Sequence, residues 1–290
     1  MYVTVNGARI FFDVAGPSLA ATDKGPRERP ALIVLHGGPG FDHWALRSYF
    51  DRFSDVVQVF YLDHRGNGRS RGGNGSDPTL WNLNQWADDI AAFADALGLE
   101  RPIVLGQSFG GFVAQAYGIR HPGHARGLVF SSTAATMKIG EVIDGFVAIG
   151  GEEVRAAATG FWTNGSDADI STFLKVCTPL YNTSPRDSVA AAGTLYRWDM
   201  YRHFSLPGGE IWKMDLRAGL AGVPGPIMVL TGDRDPVTPP AKSREIFESL
   251  RPDAGVYVEV PGTGHGAFRD KPDEVEVILR DFIRTCVAPA

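Results

Sequence analysis

Six short, almost wholly apolar runs punctuate the chain, at residues 31–35, 56–62, 103–105, 128–130, 227–230 and 256–260. Runs this brief and this uniformly apolar predict strands buried on both faces, as in a parallel sheet. Between them the apolar spacing changes to a helical period. Over 84–97 it is carried by Trp86, Ile90, Phe93, Ala94 and Leu97, with Gly98 as a stop. Further helices are predicted over 109–120, closed near His121-Pro122, over 240–250, and from 272 to about 285. Residues 1–14 alternate as two strands around Asn6-Gly7, a pair that supplies the positive φ of a tight hairpin. Residues 16–30, rich in Gly, Pro and charge, read as a surface connection. The pattern predicts an α/β fold: a mostly parallel central sheet with an N-terminal antiparallel hairpin and helices on both faces.

The rhythm breaks after Thr133. Residues 135–216 are helix-like, carry Trp162, Tyr181, Tyr196, Trp198, Tyr201, Phe204 and Trp212, and contain no buried strand run. They are expected to form a helical cap inserted into a core built from 1–134 and 217–290.

At 290 residues, 44% hydrophobic and 21% charged, the chain can bury a large core. Its net charge of −5 and scattered Lys and Arg argue against nucleic acid as a partner. No apolar run approaches a membrane span, and residues 1–5 lack a signal-peptide pattern, so a cytoplasmic protein with no membrane partner is expected. Cys177 and Cys286 stand in unrelated contexts and are expected to be free thiols. No H-x-x-H or H-E-x-x-H spacing suggests zinc, and neither metal nor cofactor is expected.

One set of residues has the composition of a nucleophilic site. Ser108 lies in Gly106-Gln107-Ser108-Phe109-Gly110, between a predicted strand and a predicted helix, where flanking glycines permit the sharp turn that lifts a serine hydroxyl off a sheet. A serine needs a base, a group to orient that base and donors for the developing oxyanion. For the orienting acid, Asp233 and Asp235 compete at the end of the 227–230 strand. Asp235 is favoured because it lies further into the loop, while Asp233 is placed to brace the turn. His265, in Gly262-Thr263-Gly264-His265-Gly266, follows the last core strand and completes the chain order Ser, Asp, His. His43, His121, His124 and His203 read as surface or packing residues. The glycines of His36-Gly37-Gly38-Pro39-Gly40 can present bare amides, so Gly38 and Phe109 are the candidate oxyanion donors, with Gly37 as a substitute for Gly38. Asp63 and Arg65 are expected to form a structural ion pair.

His36-Gly37-Gly38-Pro39-Gly40, Asp63-His64-Arg65-Gly66-Asn67-Gly68-Arg69-Ser70, Gly106 to Gly111, Gly232 to Asp235 and Gly264-His265 together resemble the proline iminopeptidases, or prolyl aminopeptidases, within the α/β hydrolases. The resemblance spans the core from Ala31 to His265. It implies an α/β-hydrolase fold, a Ser108, Asp235 and His265 triad, no metal or organic cofactor, and release of N-terminal proline or another small residue from short peptides. Two departures mark where substrate is chosen. The family carries Trp after the nucleophile where this chain has Phe109. It also carries a cap Trp-Glu that holds the substrate amine, whose nearest counterpart here is Trp198-Asp199, with Glu210 as another anchor. An exposed Asp199 would remove the main reason for a peptide substrate. The rival reading is a carboxylesterase or lactonase for a small apolar acyl compound. A third is a non-catalytic binding protein on the same fold, disfavoured because a binding module has no need of a poised nucleophile.

Overall fold

The computed structural model describes residues 1–185 and 188–288, so residues 186–187 of the expected cap lie outside the described residues. β1 (Tyr2–Val5) and β2 (Ala8–Ala15) pair antiparallel across Asn6 and Gly7, both at positive φ. Residues 16–30 are more than a connection. β3 (Leu19–Thr22) and β4 (Gly25–Glu28) form a separate, largely exposed two-stranded hairpin. β5 (Ala31–Leu35), wholly buried, follows. α1 (Trp44–Phe50), β6 (Gln58–Leu62), β7 (Gly72–Gly73) and α2 (Leu83–Ala96) come next. β8 (Ile103–Gln107), α3 (Phe109–Arg120) and β9 (Gly127–Ser131) then continue the βα alternation.

Between β9 and the next strand the described chain is helical: α4 (Ile139–Gly150), α5 (Arg155–Thr163), α6 (Asp167–Val176), α7 (Ser188–Gly193), α8 (Trp198–Ser205) and α9 (Arg217–Leu220). An isolated antiparallel bridge between Thr136 and Asp215, with Leu216 N–H donating to Ala135 O at 3.1 Å, brings the two ends of this insertion together. The core resumes with β10 (Ile227–Gly232), α10 (Pro240–Ser249), β11 (Gly255–Val260), α11 (Ala267–Asp270) and α12 (Pro272–Val287).

The main sheet runs β1-β2-β6-β5-β8-β9-β10-β11, parallel from β6 to β11. Side chains alternate across it with the period of two that a strand imposes. Ile33, Leu35 and Val104 face a layer containing Trp86, Ile90 and Phe93 of α2 and Val113 and Tyr117 of α3. Leu32, Val34 and Leu105 face Tyr49 and Phe50 of α1 and Leu279 and Phe282 of α12. Each such fully buried side chain contributes about 1.5–3 kcal/mol. The insertion shares the first layer through Phe146, Phe161, Phe173, Tyr201 and Phe204, with Phe161 stacked on Phe173 at 3.9 Å.

The expected Asp63–Arg65 pair does not form. Arg65, fully buried, instead crosses to Asp89 of α2, with Nη2 2.7 Å from Oδ1 and Nε 2.7 Å from Oδ2. Asp63 is taken by His43, at 2.7 Å from Nδ1, and by the Arg69 amide at 2.8 Å. His43 is thus a buried packing residue. Cys177 and Cys286 are unpaired. No helix among the described residues is long and apolar enough to cross a membrane.

Candidate active site

Parallel strands all deliver their C-terminal ends to one rim, and four of them supply the site. At the end of β8, Ser108 adopts φ 57°, ψ −119°, a conformation that costs a non-glycine residue energy and marks a held turn. The glycines on either side are sterically required. A Cβ on Gly106 would overlap the carbonyl of Gly110, and one on Gly110 would overlap that of Leu35. Ser108 N–H donates to Ser131 O at 2.9 Å, and Thr133 Oγ1 donates to Ser108 O at 2.9 Å, so the end of β9 fixes the elbow.

Asp235 and His265 come from the loops after β10 and β11. His265 Nδ1 lies 3.0 and 2.9 Å from the two carboxylate oxygens of Asp235. Asp235 is buried, and its oxygens also accept from the Val237 and Thr238 amides at 2.8 and 2.9 Å and from Thr238 Oγ1 at 2.9 Å. These donors fix the direction of the carboxylate. With Nδ1 committed to Asp235, the imidazole has Nε2 left for a proton acceptor's role. Asp233 does something else: it accepts from the Gly262 and Thr263 amides at 2.7 and 3.2 Å and braces the His265 loop. Gly266 N–H donates to Ser132 Oγ at 2.9 Å. Neighbouring residues at the end of β9 therefore hold both the Ser108 turn and the His265 loop.

On the opposite wall, β5 runs into Gly37 and Gly38. An added Cβ on Gly37 would sit 3.9 Å from Ser108 Oγ, which puts this loop directly beside the nucleophile candidate. His36 Nδ1 is 2.7 Å from Gly37 O, and His36 Nε2 accepts from the His64 amide at 3.1 Å. The ring is therefore the neutral Nδ1–H tautomer donating to Gly37 O, consistent with burial pushing its pKa down. Because the Gly37–Gly38 peptide is trans, the Gly38 N–H points away from that carbonyl and from the His36 ring. Phe109 is the first residue of α3, so its N–H has no acceptor within the helix. His64 packs at 4.5 Å against His36 and at 5.4 Å against Phe109, with both ring nitrogens buried and unpaired. Burial, then the neighbouring His36, holds its pKa well below the ordinary value.

The expected substrate contacts behave differently. Trp198 stacks on Tyr196 at 5.3 Å and meets Phe41 edge-on at 6.3 Å, over the loop that carries Gly38. Asp199 is 54% exposed and paired with Arg197 through both carboxylate oxygens. Glu210 is half-buried, and its carboxylate accepts the Leu83 amide at 3.1 Å, at the start of α2. Burial raises its pKa, and the Leu83 amide only partly offsets this. Neither carboxylate is left without a partner. Tyr181, an aromatic residue of the insertion to which composition assigned no role, lies with its ring 5.3 Å from and perpendicular to that of His265. Its carbonyl accepts the His265 amide at 2.5 Å.

A parallel sheet with this crossover pattern, carrying a strained serine after one strand and an Asp–His pair after two later ones, is the architecture of an α/β hydrolase. The chain belongs to the alpha/beta hydrolase fold family, whose model matches residues 30–272, and it is a hydrolase. It is similar to proline iminopeptidase PfmaB of Pestalotiopsis fici, with 27% identity covering 94% of this chain and 98% of that one. It is also similar to a monoacylglycerol lipase of Mycolicibacterium smegmatis, with 30% identity over 97% of this chain and 93% of the lipase. Among solved structures, a proline iminopeptidase of Mycobacterium smegmatis superposes with a TM-score of 0.78 at 21% identity, covering 99% of this chain and 98% of that one. The resemblance read from the motifs is met in these relatives.

Proposed function

We propose that this chain is a serine hydrolase that cleaves small neutral esters or lactones through an acyl-enzyme on Ser108. In this reading His265 Nε2 takes the Ser108 proton as Oγ attacks the substrate carbonyl. Asp235 stabilises the imidazolium, and the amides of Gly38 and Phe109 receive the oxyanion. The imidazolium then protonates the departing alkoxide, and a water activated by the same imidazole hydrolyses the acyl-enzyme. The doubly hydrogen-bonded Asp235–His265 pair, on the same rim as the Ser108 turn, carries the mechanism.

The substrate class rests on Asp199. A protonated N-terminal amine removed from water needs a carboxylate free to receive it. Asp199 is exposed and neutralised by Arg197, and Glu210, its pKa raised by burial, already accepts the Leu83 amide. An acyl compound without an amine needs no such partner, and the aromatic surface of Phe41, Tyr196 and Trp198 suits it. The names of the iminopeptidase relatives favour a second reading, release of an N-terminal residue from short peptides. Comparing kcat/KM for a p-nitrophenyl ester, a lactone and proline p-nitroanilide on one preparation separates the two. Ester or lactone turnover far above anilide turnover is expected. Efficient anilide turnover would establish the peptidase reading instead.

A further inference from the structure

The His265 loop carries Gly262, Gly264 and Gly266, the first and last at positive φ, so its backbone has little intrinsic stiffness. A catalytic base must nonetheless be held within a fraction of an ångström. The stiffness comes from outside the loop. The Gly264 amide donates to Asp270 Oδ2 at 2.7 Å, and the His265 amide donates to Tyr181 O at 2.5 Å. Asp270 also binds the helical insertion. Its Oδ1 accepts from the Ser184 amide at 2.7 Å and from Ser184 Oγ at 2.5 Å, and its Oδ2 accepts from Asn182 Nδ2 at 3.1 Å. Asn182 Nδ2 further reaches Gly266 O at 3.4 Å, and Thr183 Oγ1 donates to Gly262 O at 3.0 Å. At Gly264 any side chain would overlap the Tyr181 carbonyl. One carboxylate thus joins the two: Oδ2 bridges the loop of the base to Asn182 of the insertion, while Oδ1 holds Ser184.

We propose that Asp270 is a positioning residue that locks the His265 loop to the helical insertion, so that the insertion's seating sets the placement of the catalytic base. This rests on the reading of His265 as the base of a serine hydrolase. Burial alone would push the Asp270 carboxyl up, but the donors from Gly264, Ser184 and Asn182 hold it below the ordinary carboxylate range, so it is ionised in this role at neutral pH. An amide at this position could not accept from all four donors at once. The insertion therefore acts on the chemistry through hydrogen bonds to the loop of the base.

The test is Asp270→Asn, with Asn182→Ala and Ser184→Ala as the insertion-side variants, assayed on a p-nitrophenyl ester and by the rate of Ser108 labelling with a fluorophosphonate. Concentrations are set by the folded fraction. Asp270→Asn should lower kcat about tenfold or more while KM stays within about twofold, and labelling should slow in parallel. Asn182→Ala and Ser184→Ala should each lower kcat less, and each should lower it by a smaller factor once Asp270→Asn is present. Wild-type kcat in Asp270→Asn, or losses that simply add, would overturn the proposal. Should Asp270→Asn fail to fold, unchanged kcat in both insertion-side variants would overturn it equally. Turnover and labelling that survive Ser108→Ala would instead sink the serine-hydrolase reading, an outcome the Asp270 series cannot mimic.

Discussion

His36 donates from Nδ1 to the carbonyl oxygen of the residue after it, Gly37, at 2.7 Å, and so fixes the peptide plane whose other end is the Gly38 N–H. Replacing His36 by Ala frees that plane to rotate. In the proposed mechanism that N–H is one of the two oxyanion donors, and loss of one such donor costs about 100- to 1000-fold in kcat. A donor that is loosened rather than deleted should cost less, on the order of tenfold, with KM little changed. Steady-state kinetics of His36→Ala on a p-nitrophenyl ester checks this, and an effect confined to KM would contradict it.

The same ring and its neighbour make stability depend on pH. His36 and His64 are both buried with lowered pKa values, whereas in the unfolded chain they titrate near 6.5. As pH falls through 6.5 the unfolded state takes up protons that the folded state refuses. Stability is therefore fully present above that pH and is lost as pH drops below it. Thermal unfolding followed from pH 7.5 to 5 should show a falling Tm. His64→Leu, which removes two unpaired buried nitrogens, should flatten the decline. A variant profile parallel to that of the wild type would contradict this origin.

Two glycines predict opposite outcomes for the same substitution. Gly110→Ala drives a methyl group into the Leu35 carbonyl beneath the Ser108 turn and should destabilise by about 3 kcal/mol or more, with activity lost. Gly140 lies in α4 with open space around its Cβ position, so Gly140→Ala should stabilise by about 0.5–1 kcal/mol. Urea denaturation of both variants checks the pair. Equal effects would mean that the packing at Gly110 is looser than described.

The sequence pattern shows strand ends and their order well, because burial on both faces leaves little freedom in what a central parallel strand can contain. Ala31–Leu35 and Phe109–Arg120 fall where the pattern predicts them, and Ser108 of the Gly106–Gly110 segment is the one residue between β8 and α3. The rim that gathers Ser108, Asp235 and His265 follows from those ends and from a parallel sheet. Asp235 rather than Asp233 reaches His265, as its extra distance from the strand suggests. What depends on which way a side chain turns was not legible. Asp63 and Arg65 have opposite charge and close spacing, yet each finds a better-placed partner on another segment. Asp199 neighbours a buried Met200, but the face of α8 that carries it looks outward. Leu46, Tyr49, Phe50 and Phe53 repeat at helical spacing and announce α1. Asp270 lies five residues after His265 with nothing in its surroundings to suggest that it joins two parts of the chain.

Covalent labelling tests the proposed chemistry most directly. A fluorophosphonate should modify the folded protein at one serine, found by peptide mass spectrometry to be Ser108, and Ser108→Ala should abolish the labelling while leaving Tm close to that of the wild type. Modification at another serine, or labelling that persists in Ser108→Ala, would contradict the assignment of Ser108 as nucleophile and the acyl-enzyme mechanism built on it.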